Sequence, residues 1–281
     1  MHILFYIIYS YIIKYLTMDK CCIFLFHLST GDNFTMYAAV RHFQKIYKDV
    51  FIFCLHRNRH TVTQLYQPYK NVNVLILVNE TYNEFLAPTK LIKQIKSKIN
   101  NYDLFVSGTY EPKFNEIAGA EFWEKFYNQL KLPYILRYDY QDINRNKKIE
   151  LNLYNLVVRK YGKKYIFLHD HRNIKYKHYC IRGNVHVDSE LPVFHPNINY
   201  YSDSKNNCHY DLWSSVLMSD NLLDYCTLIE NATEIHISDS AFSCLIPFLD
   251  LKNVKKKCIH TSYDIIGYHD EYKNNWKIVK R

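Results

Sequence analysis

The sequence predicts an α/β protein with two halves, each a parallel sheet covered by helices. Strand-like and helix-like segments alternate along the first half, the alternation breaks over residues 131–155, and a second series then follows. Such alternation is typical of parallel sheets, because parallel strands need a long crossover that is usually helical. A chain of 281 residues can form two domains of ordinary size. We therefore expect an apolar extension over 1–17, one domain over 18–150 and a second over 151–281.

Short apolar runs predict the strands of the first half. The run from Val50 to Leu55 is continuous, as expected of a strand that is buried on both faces. Between such runs, apolar residues recur at helical spacing. The predicted strands are 23–28, 50–55, 72–77 and 102–106, and the predicted helices are 35–47, 58–66, 90–99 and 116–130.

The second half follows the same order less regularly. Pro133 and the polar stretch 142–148 mark a crossing between the domains. Residues 173–220 show no pattern from which elements can be placed. The predicted strands are 164–169, 234–237 and 257–260, and the predicted helices are 222–230 and 241–249.

The formal net charge of +9 is compatible with a nucleic-acid partner. The basic residues are scattered, however, and the densest run is only Lys255, Lys256 and Lys257. A short run of this kind is usually a solvated face. We therefore expect no nucleic-acid partner. A small polyanion such as a nucleotide diphosphate would use the same charge with less surface.

The eight cysteines show no metal-ligand spacing, and several stand inside apolar strand or helix patterns. Buried free thiols of this kind indicate a reducing compartment, so we expect a cytoplasmic protein. The apolar stretch 1–17 is interrupted by Lys14 and falls short of a bilayer span. We favour a non-core extension over a membrane anchor; membrane association would follow only if this stretch acts as an anchor.

The turn after the first strand reads Ser29-Thr30-Gly31-Asp32 and opens a helix. Gly31 could supply a positive φ or a close backbone approach, and the N–H groups at the helix start could hold an anion. Asp32 could accept a proton from an incoming hydroxyl. An aspartate here also caps a helix well, and on this segment alone capping is the better-supported role.

A second acid-bearing turn, Asp239-Ser240-Ala241, follows a strand late in the chain. Helix N–H groups together with Ser240 and Ser243 could take a diphosphate, and here too capping is the simpler role. Neither turn has the glycine fingerprint of dinucleotide sites or the Gly-Lys-Ser/Thr of P-loops.

The strand at 164–169 ends in His169-Asp170-His171-Arg172. Arg172 could pair with a phosphate in bidentate fashion, and His169 and Asp170 could lie at the same edge. Two histidines without a third convergent ligand do not make a metal site, so we expect no metal. Arg137, near Tyr134, Tyr138 and Tyr140, could line a cleft, although packing between the domains is the simpler role.

The two turns resemble those of GT-B glycosyltransferase-like proteins related to the lipopolysaccharide heptosyltransferases. In that family a Ser-x-Gly-Asp turn follows the first strand, as at 29–32, and its aspartate is the proposed base. A late Asp-Ser/Thr-Gly loop opens a helix under the donor diphosphate, as at 239–241. Here Ala241 replaces the glycine, and Cys244 stands where the family has a donor-binding histidine. A divergent branch matches better, through the segment 235–242, the strand ending in His169-Asp170, and 275–278.

The resemblance implies two Rossmann-like domains facing a cleft, the GT-B type, with the acceptor on the first domain and the donor on the second. It implies transfer from a nucleotide-sugar co-substrate to a hydroxyl of a glycan, lipid or protein, with no metal or other cofactor. Two other classes stay open: a catalytically inactive binding or scaffolding protein, which Ala241 and Cys244 favour, and a basic nucleic-acid-associated protein, which only the charge favours. The implied roles are Asp32 as base, with Gly31, Arg172, Asp239, Ser240 and Ser243 at the donor phosphates.

Overall fold

The computed structural model describes residues 19–77, 92–108, 116, 122–169, 187, 189–196, 217–238, 240–261 and 275–280. The chain divides into two compact units, Met1–Asn144 and Arg145–Arg281. The described residues form one sheet in each unit, and the strand pairs described in both sheets are parallel. The predicted α/β class with two parallel sheets is confirmed. The cleft expected between the domains stays a prediction.

The first unit contains strands β1 (Cys21–Leu25), β2 (Asp49–Leu55), β3 (Val72–Leu77) and β4 (Tyr102–Val106), and helices α1 (Thr30–Thr35), α2 (Tyr37–Gln44), α3 (Arg59–Tyr66) and α4 (Phe122–Gln129). The strand order is β3-β2-β1-β4. From β1 the chain adds β2 and β3 on one side and later returns to place β4 on the other. In register, Phe24 of β1 lies beside Ile52 of β2 and Phe105 of β4.

The apolar runs form the core of this unit, as the sequence predicts. Ile23 and Phe24 of β1 are fully buried, and Phe43 of α2 stacks on Phe105 of β4 with ring centroids 4.5 Å apart. Full burial of such a side chain stabilises the fold by about 1.5–3 kcal/mol. All four predicted strands of the first half are present, although β1 spans 21–25 where 23–28 was expected.

The first predicted helix differs from the observed one at its start. We expected it to begin at residue 35, but α1 begins at Thr30, and the helix is interrupted at Met36 before α2 begins. The early start follows from Ser29 and Asp32, because each side chain accepts a backbone N–H at the N-terminus of the helix. This places the acid-bearing turn inside the helix.

The second unit contains helices α5 (Lys147–Tyr161), α6 (Cys226–Glu230) and α7 (Ala241–Leu245), and strands β5 (Ile166–His169), β6 (Val193–Phe194), β7 (Glu234–Ser238), β8 (Lys256–Thr261) and β9 (Lys277–Lys280). The strand order is β6-β5-β7-β8-β9. Three of these strands were predicted, whereas β6 and β9 were not. β6 has only two residues and lies in the stretch without periodicity, so nothing in the pattern indicates it.

The longest described helix of the second unit, α5, was missed. Asn146 caps it by accepting the N–H of Ile149 at 3.3 Å, and it ends before Gly162. Leu153 and Val157 are buried while Leu151 is 51% exposed, so the apolar face is weakly marked. The predicted boundary at residue 150 falls within this helix. Neither α5 nor any other helix in the described part of the chain is long and apolar enough to cross a bilayer.

A buried ion cluster ties the start of α5 to α6. Arg145 donates to both oxygens of Glu150, at 2.9 Å from Nε and 2.5 Å from Nη2, and to Glu230 at 2.8 Å. Thr227 donates to Glu150 at 2.6 Å. The Glu150 side chain has no exposed surface, so these donors replace its water.

A polar ladder joins β7 to β8 inside the second sheet. Nδ1 of His236 lies 3.0 Å from Nε2 of His260, and Nε2 of His236 lies 3.3 Å from Glu234. Lys256 pairs with the same carboxylate at 3.1 Å. Both histidines are buried, and buried polar groups need such partners. The ladder therefore fixes β7 beside β8.

Candidate active site

Each sheet offers one edge where a ligand is expected. In open α/β sheets ligands bind outside the carboxyl ends of the strands, where the strand order reverses. The reversal lies between β1 and β4 in the first unit and between β5 and β7 in the second. β1 leads to residues 29–32 and β4 leads to Gly108, while β5 ends at His169 and β7 leads to Ser240.

Asp32 caps α1 at the first of these edges. Its Oδ2 accepts the N–H of Ser29 at 3.2 Å, and its own N–H donates to Oγ of Ser29 at 3.3 Å. Asp32 is only 7% exposed. The capping interpretation is therefore confirmed. Capping also fixes the carboxylate in place, so it is compatible with the predicted role as a base.

Gly31 does not form the tight turn that we considered. It lies inside α1, and the positive φ values of described glycines occur at Gly108 and Gly162. Thr35 donates its hydroxyl to the Gly31 carbonyl at 3.2 Å. The positive φ that we considered for Gly31 is wrong because the helix starts one residue before it.

His27 is a neutral neighbour of Asp32. Burial lowers the pKa of His27 to about 4, so the imidazole is uncharged at neutral pH. Its Nδ1 lies 3.8 Å from Oδ1 of Asp32. Because the imidazole is uncharged, His27 and Asp32 do not form an ion pair at pH 7. The ring packs edge-on against Phe126 with centroids 4.9 Å apart. The structure thus places an uncharged imidazole, itself packed on an aromatic ring, beside the Asp32 carboxylate.

The lowered pKa of His27 predicts a loss of stability in mild acid. The unfolded histidine takes a proton near pH 6.5, whereas the folded one resists protonation until about pH 4, so stability falls as pH falls between these values. We expect His27 to account for about 2 kcal/mol of lost unfolding free energy between pH 7 and pH 5. His42 has a similarly lowered pKa. Denaturant titrations should therefore show a clearly weaker pH dependence in His27→Gln; an unchanged dependence would exclude a buried neutral His27.

Gly108, which the sequence did not single out, lies at the same edge after β4. Its φ is +88°, and an added Cβ would lie 2.6 Å from the Phe126 ring and 2.8 Å from His27. Gln129 holds its backbone on both sides, accepting the Gly108 N–H at 2.6 Å and donating to the Gly108 carbonyl at 3.2 Å. Only a glycine allows this approach. The Ser-Gly pair directly after a predicted strand was the available signal.

The site in the second unit centres on Ser240 and His169. Oγ of Ser240 lies 3.1 Å from Nδ1 of His169, so a hydrogen bond joins the ends of two neighbouring strands. Ser243 shapes the turn, accepting the Ser240 N–H at 3.2 Å and donating to the Ser240 carbonyl at 2.6 Å. The phosphate-binding roles of Ser240 and Ser243 stay predictions.

His195 is a second imidazole at this edge, and the sequence did not indicate it. It directly follows β6, has no exposed surface, and lies with its ring centroid 5.9 Å from that of His169. Phe242 contacts the His169 ring at 4.7 Å between centroids. His195 falls in the stretch without periodicity, and only the position of β6 beside β5 brings it to the site.

The remaining predicted residues are placed as follows. Arg137 is buried, donates to the Tyr134 hydroxyl, and packs over the rings of Tyr134 and Tyr138 at 5.1 and 5.2 Å. These contacts lie within the first unit, and the packing between domains that we expected of Arg137 stays a prediction. The predicted residues Asp170, Arg172 and Asp239 lie outside the described residues.

The described cysteines agree with the prediction of buried free thiols. Burial raises the pKa of the Cys54 thiol to about 11, so this group stays protonated at neutral pH. Across the ranges that the structure describes, no three His, Cys, Asp or Glu side chains are grouped so that they could hold a metal ion. The buried free cysteines are Cys21, Cys22, Cys54, Cys226, Cys244 and Cys258.

Comparison with known proteins gives one line of support for the fold. No family model and no curated protein sequence matches the chain. The structure is similar to the crystal structure of the glycosyl transferase family 9 from Veillonella parvula, with a TM-score of 0.50 and 9% sequence identity. The match covers 94% of this chain and 88% of that one. At this identity the likeness concerns the fold, and it agrees with the predicted GT-B type.

Proposed function

We propose that this protein is a glycosyltransferase of the GT-B type that moves a sugar from a nucleotide-sugar to a hydroxyl acceptor. The observation that carries the proposal is the Asp32 carboxylate, which the Ser29 N–H holds at the strand-order reversal of the first sheet. The fold likeness to a glycosyl transferase family 9 structure supports it. The first unit would take the acceptor and the second the donor.

In the proposed reaction Asp32 accepts the proton of the acceptor hydroxyl while that oxygen attacks the anomeric carbon of the donor. The bond between this carbon and the phosphate oxygen breaks, and the nucleoside diphosphate leaves with the electron pair. Arg172 and Ser240 would stabilise the charge on the leaving group. Asp239 would frame its loop, because a carboxylate facing a diphosphate would repel it.

The proposal names the nucleotide-sugar as co-substrate and needs no metal or further cofactor. The acceptor would be a hydroxyl-bearing glycan, lipid or protein in the cytoplasm. The direct test is a thermal-shift screen against nucleoside diphosphates and nucleotide-sugars. Stabilisation by at least one nucleoside diphosphate and by its nucleotide-sugar supports the proposal. A screen in which no compound shifts the melting temperature would contradict it.

The role of Asp32 is tested by separating capping from catalysis. Asn accepts a backbone N–H about as well as Asp does, so Asp32→Asn should keep the helix start while removing the base. We expect turnover, measured as nucleoside diphosphate release with an acceptor present, to fall about 10²–10⁴-fold with little change in stability.

Ser29→Ala is the matched control for this experiment. It removes the other half of the same capping arrangement, at a cost of about 1 kcal/mol, and leaves the carboxylate in place. Turnover should survive in Ser29→Ala. Equal losses in the two variants would mean that Asp32 acts through the helix start alone.

A second candidate function is a GT-B-like binding protein without catalysis. Cys244 stands in place of the donor-side histidine of the resembled family. It lies within α7, is only 7% exposed and belongs to the buried core. Nucleotide-sugar binding without turnover across a broad acceptor panel would favour this function.

A further inference from the structure

We propose that helix α5 docks the protein on an anionic lipid surface, with the outward face of the helix lying in the headgroup layer. The outward face is defined as the exposed charged and apolar side chains of α5, which are Lys147, Lys148, Ile149, Leu151, Arg159 and Lys160. Docking of this kind goes beyond glycosyl transfer and does not depend on it.

Every exposed charge on α5 is positive. Its single acidic residue, Glu150, has no exposed surface and is paired with Arg145, so it does not offset the basic side chains outside. Lys147 is 65% exposed, although its Nζ also lies 3.6 Å from Glu150. The first and last turns of the helix are both basic, and the exposed Lys163 and Lys164 continue the charge beyond its end. An anionic surface is complementary to such a face.

Two exposed apolar side chains lie among these charges. Ile149 is 44% exposed and Leu151 is 51% exposed, and both follow Lys148 within one turn. Single exposed apolar residues are common on protein surfaces, but here two of them accompany a basic face. Helices that lie in a bilayer interface use both kinds of group, because the apolar side chains enter the acyl boundary while the lysines stay at the headgroups.

Helical spacing makes the outward face continuous. Lys148 and Leu151 are three residues apart, so they are neighbours on the helix surface. Arg159 follows Leu151 by about two turns and projects from the same side. Leu153 and Val157 are buried and mark the side of α5 that packs on the rest of the second unit. The outward face is therefore separate from the packed side.

The apolar pair distinguishes a lipid surface from a nucleic acid. Contacts to a phosphate backbone come from basic and polar side chains, and an isoleucine or a leucine adds little to them. At a bilayer the same side chains leave water for the acyl boundary. Because its exposed charges cannot enter the hydrocarbon layer, α5 would lie on the bilayer and not across it.

The test measures cosedimentation of the full chain with phosphatidylcholine vesicles that contain or lack phosphatidylglycerol. We expect binding to the anionic vesicles, weaker binding at high salt, and little binding to phosphatidylcholine alone. In Lys148→Gln/Arg159→Gln the affinity for anionic vesicles should fall about 30-fold, as for two basic residues withdrawn from an anionic surface. Lys70→Gln/Lys98→Gln neutralises two exposed lysines of the first unit, so it is the matched control and should bind like the unmodified chain.

A second pair of variants tests the apolar contact by itself. Ile149→Gln/Leu151→Gln keeps every charge, so a fall in its affinity of about 10-fold would come from the lost apolar contact. Leu151→Trp places a fluorophore on the outward face, and brominated lipids should quench this variant more than the unmodified chain. All these side chains are exposed, so denaturant titrations should show nearly unchanged stability and exclude misfolding as the cause.

Three outcomes would overturn the docking role of α5. The first is a failure of the unmodified chain to bind anionic vesicles. The second is equal vesicle binding by the unmodified chain and both double variants, since the contact would then lie elsewhere in the chain. The third is binding to duplex DNA, but not to vesicles, that Lys148→Gln/Arg159→Gln weakens and Ile149→Gln/Leu151→Gln does not, which would make the outward face a nucleic-acid site. None of these results bears on the nucleotide-sugar screen, so the proposed function is tested independently.

Discussion

Replacing Arg145 by methionine is expected to lower the free energy of unfolding by about 3–5 kcal/mol. The substitution removes the guanidinium that donates to both Glu150 and Glu230 while keeping a side chain that fills the space. The Glu150 carboxylate, which has no exposed surface, would then be left as a buried charge with Thr227 as its remaining close donor and the exposed Lys147 at 3.6 Å. Removing one partner of a buried pair costs more than the pair contributes.

The pH dependence of this loss identifies its cause. Burial alone would raise the pKa of Glu150, but the hydrogen bonds from Arg145 and Thr227 outweigh it and hold the pKa below its ordinary value. A carboxyl with a lowered folded pKa stabilises the fold above its unfolded pKa, and this contribution is lost as pH falls through the folded value. In Arg145→Met burial dominates, so the pKa of Glu150 rises, and protonation then removes the buried negative charge. The deficit should therefore be larger at pH 7 than at pH 5.

Lys252→Met is the matched control, since it also removes one positive charge from an ion pair. Lys252 lies 2.6 Å from Asp250, but the two side chains are 73% and 59% exposed. Such surface pairs contribute about 0–1 kcal/mol. Urea titrations of both variants at pH 7 and pH 5 provide the measurement. A deficit of Arg145→Met that matches the control, or that does not change with pH, would contradict a buried ion cluster.

What the sequence could predict follows from how local each signal is. The strand from Val50 to Leu55 is buried on both faces, so its continuous apolar run indicates it without reference to any partner. The helix α5 is different, because Glu150 and Leu153 are buried while the apolar residues Ile149 and Leu151 are exposed. Its cap, Asn146, resembles any other residue in a polar stretch. Propensity and periodicity are weak guides where packing decides the face of a helix.

The residues of the candidate site also differ in how local their sequence signals are. Asp32 could be found because the sequence shows it between an apolar strand and a helix, at the start of which it lies, and both of its predicted roles use that position. Gly108 and His195 were missed because they join the site only through the order of the strands: β4 lies beside β1, and β6 beside β5. Strand order in a parallel sheet depends on long-range packing that no short segment encodes.

Gly108→Ala is the second substitution with a large expected effect. Alanine at a positive φ costs about 1–3 kcal/mol through the backbone. The added Cβ would also lie 2.6 Å from the Phe126 ring and 2.8 Å from His27, and overpacking of this kind costs about 1–3 kcal/mol more. Because Gln129 fixes the Gly108 backbone on both sides, the loop cannot move away without breaking those hydrogen bonds.

Gly162→Ala separates the two costs. Gly162 has a similar φ of +82°, but an added Cβ there meets no atom within 4 Å, so its loss of stability measures the backbone cost alone. Gly108→Ala should therefore lose more unfolding free energy than Gly162→Ala. It should also displace His27 beside Asp32 and, on the proposed function, lower turnover, while Gly162→Ala leaves turnover unchanged. If the two variants are equally stable and equally active, the close approach of Gly108, Phe126 and His27 does not define the Asp32 site.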